Sequence, residues 1–147
     1  MKKQHIILLF ILLTSALSVM AFSGKDIPIR FQQLPVKAQQ VIKKHFPNQK
    51  IALAKMENEL LSKSYEVIFT NGTKIEFDSK GQWTNIDCKH SQVPSALIPP
   101  AILNYVKKHY LRSIITEVER KRRTIQIELN NGIDLTFNSN YQIIEID

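Results

Sequence analysis

Two stretches of the chain carry an apolar face at helical spacing. Leu34, Ala38, Val41, Ile42 and His45 fall on one side of a helix, with Lys37, Gln39, Gln40, Lys43 and Lys44 mostly opposite. Ile98, Ile102, Tyr105, Val106 and His109 repeat that face. Pro35 and Pro99 suit a first helical turn, where a missing N–H breaks no bond, and Phe46-Pro47-Asn48 stops the first helix. Elsewhere the alternation has period two. Tyr65, Val67 and Phe69 point one way, and Glu66, Ile68 and Thr70 the other. Asn71-Gly72 predicts a tight hairpin, after which Ile75 and Phe77 point inward and Lys74, Glu76 and Asp78 outward. Ser79-Lys80-Gly81 turns the chain into a strand over residues 82–87, and residues 50–57 read as a further strand upstream.

The pattern occurs twice. Leu34-Pro35, Lys43-Lys44-His45-Phe46 and Ile51 return 64 positions later as Ile98-Pro99, Lys107-Lys108-His109-Tyr110 and Ile115. Asn71-Gly72, Phe77, Ser79, Gln82, Ile86 and Asp87 return 60 positions later as Asn131-Gly132, Phe137, Ser139, Gln142, Ile146 and Asp147. The offset changes between Met56 and Tyr65, so one hairpin loop is shorter in the second copy. The fold predicted is α+β: two tandem units, each a helix plus four antiparallel strands, forming a shared sheet covered by helices on one face. The units are residues 22–90 and 91–147, following a signal peptide over 1–21.

That leader is read from basic Met1-Lys2-Lys3, an apolar run from Ile6 to Ala21 and small or permissive residues at Val19-Met20-Ala21. The run falls short of a membrane span, which needs about 20 apolar residues, and an exported protein, periplasmic or extracellular, is expected. Losing Lys2 and Lys3 lowers the formal charge from +7 to +5 (20 Lys and Arg less those two, against 13 Asp and Glu). Such a surplus favours polyanions only weakly. Cys88 is the single cysteine, which excludes an internal disulfide and fits a partly buried structural thiol.

The string LP…KKHFP…I…YEVIFTNGTKIEFDSKGQW…ID, followed by VPSALIPPAILNYVKKHY and a second NG hairpin, resembles the PepSY-like family of exported bacterial proteins, often described as β-lactamase-inhibitor-like. The resemblance runs from Asp26 to Asp147. It implies helices on an antiparallel sheet whose open face can grip a partner. The second half departs from the pattern, with Leu111 in place of Pro47, Asn138 in place of Asp78 and Tyr141 in place of Gly81. Those changes alter turn chemistry and surface charge.

Strict alternation places Thr84 and Ile86 toward the core, and so Trp83 outward beside Ile68 and Glu76, with Tyr141 and Ile143 on the equivalent side of the second half. Apolar and aromatic residues on a polar sheet face describe a partner-binding surface. Two roles stay open for Trp83: that surface, or a seal over a sheet edge or the seam between halves. Arg120, Lys121, Arg122 and Arg123 at a hairpin tip offer an alternative anion-binding site, or a solvated turn that protects a strand edge. His45 and His109 end their helices without an HxH or HxxxH pair, so no metal site is expected. Glu76, Asp78 and Asp87 offer a weak cation site or a general acid/base pair, but with no pocket visible in sequence they read as a solvated face alternating with lysines. No phosphate loop, nucleophile elbow or triad is evident. The expectation is a monomeric, non-enzymatic binding protein without cofactor or nucleic acid. Its partner would be a protein or cell-envelope component held at the open face, with a secreted hydrolase or protease as an outside possibility. The alternative is a small-ligand or anion-binding protein using the basic hairpin.

Overall fold

The computed structural model describes residues 25–147; the expected signal peptide over 1–21 lies outside them. A single antiparallel sheet of nine strands runs in sequence order, each strand bonded to the next. β1 (Lys25–Pro28) forms one edge. A ten-residue helix, α1 (Val36–His45), leads into β2 (Ile51–Asn58), β3 (Lys63–Phe69), β4 (Lys74–Phe77) and β5 (Trp83–Asp87). The second helix, α2 (Pro100–His109), leads into β6 (Ile115–Arg120), β7 (Thr124–Leu129), β8 (Asp134–Asn138) and β9 (Ile143–Ile146).

This corrects the predicted architecture. The chain is mainly a sheet fold with two short helices, not two tandem helix-plus-four-strand α+β units. β1 is a strand beyond the four expected of the first unit; it pairs with β2 from Lys25↔Asn58 to Pro28↔Lys55. At four residues, with Pro28 inside it, β1 gives too short an alternation to read locally, and a proline is tolerated there because the strand is an edge. The halves are also continuous. β5 bonds β6 through Asn85↔Glu119, Ile86↔Val118 and Asp87↔Glu117, as the open edge that each half would leave alone requires.

Both helices lie on one face. Ala38, Ile42 and Phe46 of the first helical segment join Val67, Phe69, Ile75 and Phe77, while Ile102 and Val106 join Ile127, Leu129, Leu135 and Phe137, in a single core. Phe46 stacks on Phe69 with ring centroids 5.7 Å apart, and Tyr105 meets Phe137 edge-on at 5.4 Å. Such aromatic pairs add about 0.5–1.5 kcal/mol to the burial itself. The Asn-Gly turns differ from the expected two-residue form. Gly72 takes φ +87° and donates to the Phe69 carbonyl, and Asn71 Oδ1 accepts the Thr73 N–H at 3.0 Å, but Asn71 itself stays at negative φ. Only the glycine needs the left-handed region.

Candidate functional site

One bulge decides where the tryptophan goes. In the β4–β5 ladder Glu76 faces Asn85, but the next pair is Phe77 with Trp83, which leaves Thr84 as an extra residue. An extra residue reverses the facing of everything beyond it. Trp83 therefore shares the helix-covered face with Phe77 and is 6% exposed. β8–β9 does the same: Thr136 pairs Glu145 and Phe137 pairs Ile143, so Ile143 packs against the core and Ile144 is exposed. Tyr141 stands in the turn before β9 at φ 59°, exposed. The expected surface of Trp83, Ile68, Glu76, Tyr141 and Ile143 is thus not assembled. Only Ile68 and Glu76 reach the helix-free face, where Ile68 lies beside Leu53 across β2–β3.

Trp83 sits instead where β5 meets β6. The Arg120 guanidinium lies 3.4 Å from the indole centroid, a cation–π contact worth about 0.5–2 kcal/mol. Arg120 pairs with Ile125 and shares its side of the sheet, whereas Lys121 reaches Glu119 at 3.0 Å and Gln126 Oε1 at 3.1 Å. The basic run is therefore divided in what it touches, although a hollow of about 240 Å³ beside the hairpin is lined by all four cations and Tyr141.

The helix-free face has two characters. Across β1–β4 it is an ion-pair lattice. Lys55 Nζ bonds Asp26 at 2.9 Å, Glu57 at 2.8 Å and Glu66 at 3.2 Å, while Lys74 holds Glu76 at 2.9 Å and Glu66 at 3.8 Å. Hydrogen bonds to Glu57 and Asp26 raise the Lys55 pKa further above its ordinary range. Across β6–β8 the face is acidic. Leu53, Lys55, Ile68 and Lys74 correspond, at the repeat offsets, to Glu117, Glu119, Glu128 and Asp134. Glu117 faces Glu128 directly across the ladder, an arrangement that costs a few tenths of a kcal/mol to about 1 kcal/mol. Burial, then the charges of Asp87, Glu128 and Glu119, push the Glu117 carboxyl above its usual pKa against a hydrogen bond from Asn85. These four carboxylates and Gln126 line a depression of about 100 Å³. Among the described residues no group of three His, Cys, Asp or Glu is placed to hold a metal ion. His109 stacks on Tyr105 at 4.4 Å. Sequence reasoning passed over this acidic set because its members lie on three strands, although each occupies an outward position of its own alternation.

The family described as "Putative beta-lactamase-inhibitor-like, PepSY-like" matches residues 63–145. The chain belongs to this family. A Bacteroides thetaiotaomicron structure, described as a "putative calcium-regulated periplasmic protein", resembles this PepSY-like chain with a TM-score of 0.81 at 49% identity, covering 83% of this chain and 96% of that one. Two Bacteroides vulgatus periplasmic proteins match at 46% and 37% identity, with TM-scores of 0.82 and 0.79, covering 85% and 84% of this chain and 98% and 99% of theirs. Among curated proteins, none matches. The chain is an exported, periplasmic-type protein, and among its described residues no helix is long and apolar enough to cross a membrane.

The thiol of this PepSY-like protein is free and buried. Cys88 is 4% exposed, and burial pushes its pKa up to about 11, with a Thr73 hydroxyl contact opposing slightly. The thiolate is the nucleophile, so the native protein should resist iodoacetamide at pH 8 while the urea-unfolded chain is alkylated. The sign of the stability effect follows from the raised value. The neutral thiol is preferred in the folded state, so its contribution is present below the unfolded pKa near 9 and is lost as pH rises through about 11. Comparing wild type with Cys88→Ala in urea melts from pH 8 to 11 should isolate a loss on the order of 2 kcal/mol in the wild type. Native alkylation as fast as in the unfolded chain would contradict the burial argument.

Proposed function

We propose that this exported protein is a non-enzymatic binding protein that docks a basic segment of another protein on its helix-free sheet face. The observation that carries the reading is the acidic stretch formed by Asp87, Glu117, Glu119, Glu128 and Asp134, on a chain whose formal charge is +7. A face left uncovered by helices, with like charges held opposite each other, is relieved by a cationic partner. Complementary charge also speeds encounter and fixes register. Leu53 and Ile68, side by side across β2–β3, supply an apolar anchor on the same face, with Lys74 of β4 between Ile68 and Asp87. The inhibitor-like description of the family is compatible with such docking and does not name the partner.

The relative described as calcium-regulated favours a second reading, in which Ca²⁺ occupies the same carboxylates. Calcium takes six to eight oxygen ligands, and the described residues lack a convergent set, so the protein segment is preferred. The test is fluorescence anisotropy with a labelled octalysine peptide at low and high salt. Glu117→Gln with Glu128→Gln is expected to weaken binding at least tenfold, while Glu59→Gln in the exposed β2–β3 loop leaves it unchanged. Binding should fall with added salt, and with falling pH as Glu117 protonates early. No peptide binding, together with a large rise in Tm on adding CaCl₂ that the double variant abolishes, would replace this reading with the calcium one.

A further inference from the structure

On the opposite, helix-covered side, a cleft of about 440 Å³ opens between α1 and the β5–β6 junction. Its walls include Lys37, Gln40 and Lys44 from α1, Gln82 from the preceding turn and Trp83 from the start of β5, and Arg120 from β6. No carboxylate lines it, and none of the ion pairs among the described residues involves Lys37, Lys44 or Arg120. Three cations thus face one concavity with no carboxylate beside them to pair with.

Helix electrostatics explain only part of this. Lys44 lies in the last turn of α1, where a cation suits the dipole. Lys37 lies in the first turn, where the dipole disfavours a cation, and Arg120 comes from a strand of the other half. Desolvation lowers the Arg120 pKa, as expected for a guanidinium that has given up hydration to lie on the indole, yet it stays protonated at neutral pH. The equivalent place in the second half does not repeat this set of groups. Ala101 stands for Lys37 and Ile143 for Trp83, Tyr141 replaces the glycine of the turn, and β9 is an edge with no further strand to supply an arginine.

We infer that this cleft binds a ligand bearing two or more phosphate- or sulfate-type groups. Lys37 and Lys44 are seven residues apart on one helix, about 10 Å along its axis, a span suited to separate oxyanion groups of one ligand. Gln40 and Gln82 add amide donors between the charges. The stacked Trp83–Arg120 pair holds the guanidinium in place, with its edge free to donate. This site is independent of the acidic face proposed above and takes the opposite charge.

Trp83 is the single tryptophan of the chain, so its fluorescence reports on the cleft directly. Titration of the mature protein with tripolyphosphate should give a saturable change, and orthophosphate should bind at least tenfold more weakly. Lys44→Ala, on an exposed helix face, and Arg120→Ala should each weaken binding at least tenfold without loss of the native far-UV spectrum. Arg123→Ala at the hairpin tip should stay within twofold. Phosphatidylglycerol vesicles in a parallel titration separate the sources. Binding there in addition assigns the groups to a lipid surface, and its absence assigns them to a soluble ligand. A non-saturating response matched by NaCl at equal ionic strength would overturn the proposal. So would an Arg123→Ala loss as large as that of Lys44→Ala.

Discussion

Phe77→Ala is expected to destabilise the fold by about 3–5 kcal/mol, the range for truncating a buried phenylalanine. Phe77 has no exposed surface, and it pairs with Tyr65 on one neighbour strand and with Trp83 on the other. It thus sits under the point where the bulged strand turns its tryptophan inward. The loss combines the removed ring with the cavity left beside Ile75 and Trp83. Urea unfolding followed by far-UV circular dichroism measures it, with Trp83 emission as a local probe. Total stabilities of domains are typically 5–15 kcal/mol, so the variant should be close to unfolding at 37 °C. A loss below about 1.5 kcal/mol would mean that the layer between sheet and α1 is not packed as described.

Gly81→Ala is expected to cost about 2–4 kcal/mol, and the reason is an approach between elements rather than the turn alone. Gly81 has φ +77°, and a Cβ there would lie 2.6 Å from Pro35 Cβ and 3.1 Å from the Ala38 backbone nitrogen. Neither neighbour is the free end of a flexible chain, so the turn or the start of α1 must move. Gly132 separates the two contributions. Its φ is +81°, and a methyl added there would meet nothing within 4 Å, so Gly132→Ala carries the left-handed penalty alone, about 1–2 kcal/mol. Equal losses at both sites in paired urea melts would contradict the close approach. Tyr141, at the position matching Gly81, adopts φ 59° on the surface, which is consistent with a turn that meets no helix.

These two variants mark where local reading stops. The helices were legible because an apolar stripe at 3.6 spacing and a following Phe46-Pro47 are properties of one segment. The hairpins were legible at Asn71-Gly72 and Asn131-Gly132 for the same reason, although the turn uses one left-handed residue and not two. The facing of Trp83 was not. Thr84 becomes an extra residue only relative to β4, so no pattern within residues 82–87 can announce it. Carrying strict alternation through that point put Trp83 and Ile143 on the wrong face together, since both strands carry the same bulge.

The candidate surfaces divide in the same way. Charge signs at outward positions were readable strand by strand, and Arg120 to Arg123 stood out as a run. What made Glu117, Glu119, Glu128 and Asp134 one surface was pairing between β6, β7 and β8, and what turned Arg120 toward Trp83 was pairing between β5 and β6. The sequence by itself determined the local elements of the repeat: the two helices and the four strands after each, where the chain turns, and that the single Cys88 has no partner for an internal disulfide. Only the tertiary structure decided that nine strands form one sheet, that β1 closes onto β2, and which side of it each aromatic and charged group occupies. The physical reason is that helix periodicity and turn geometry act over a few residues, whereas strand register exists only between segments, and a one-residue bulge there reverses every side chain beyond it.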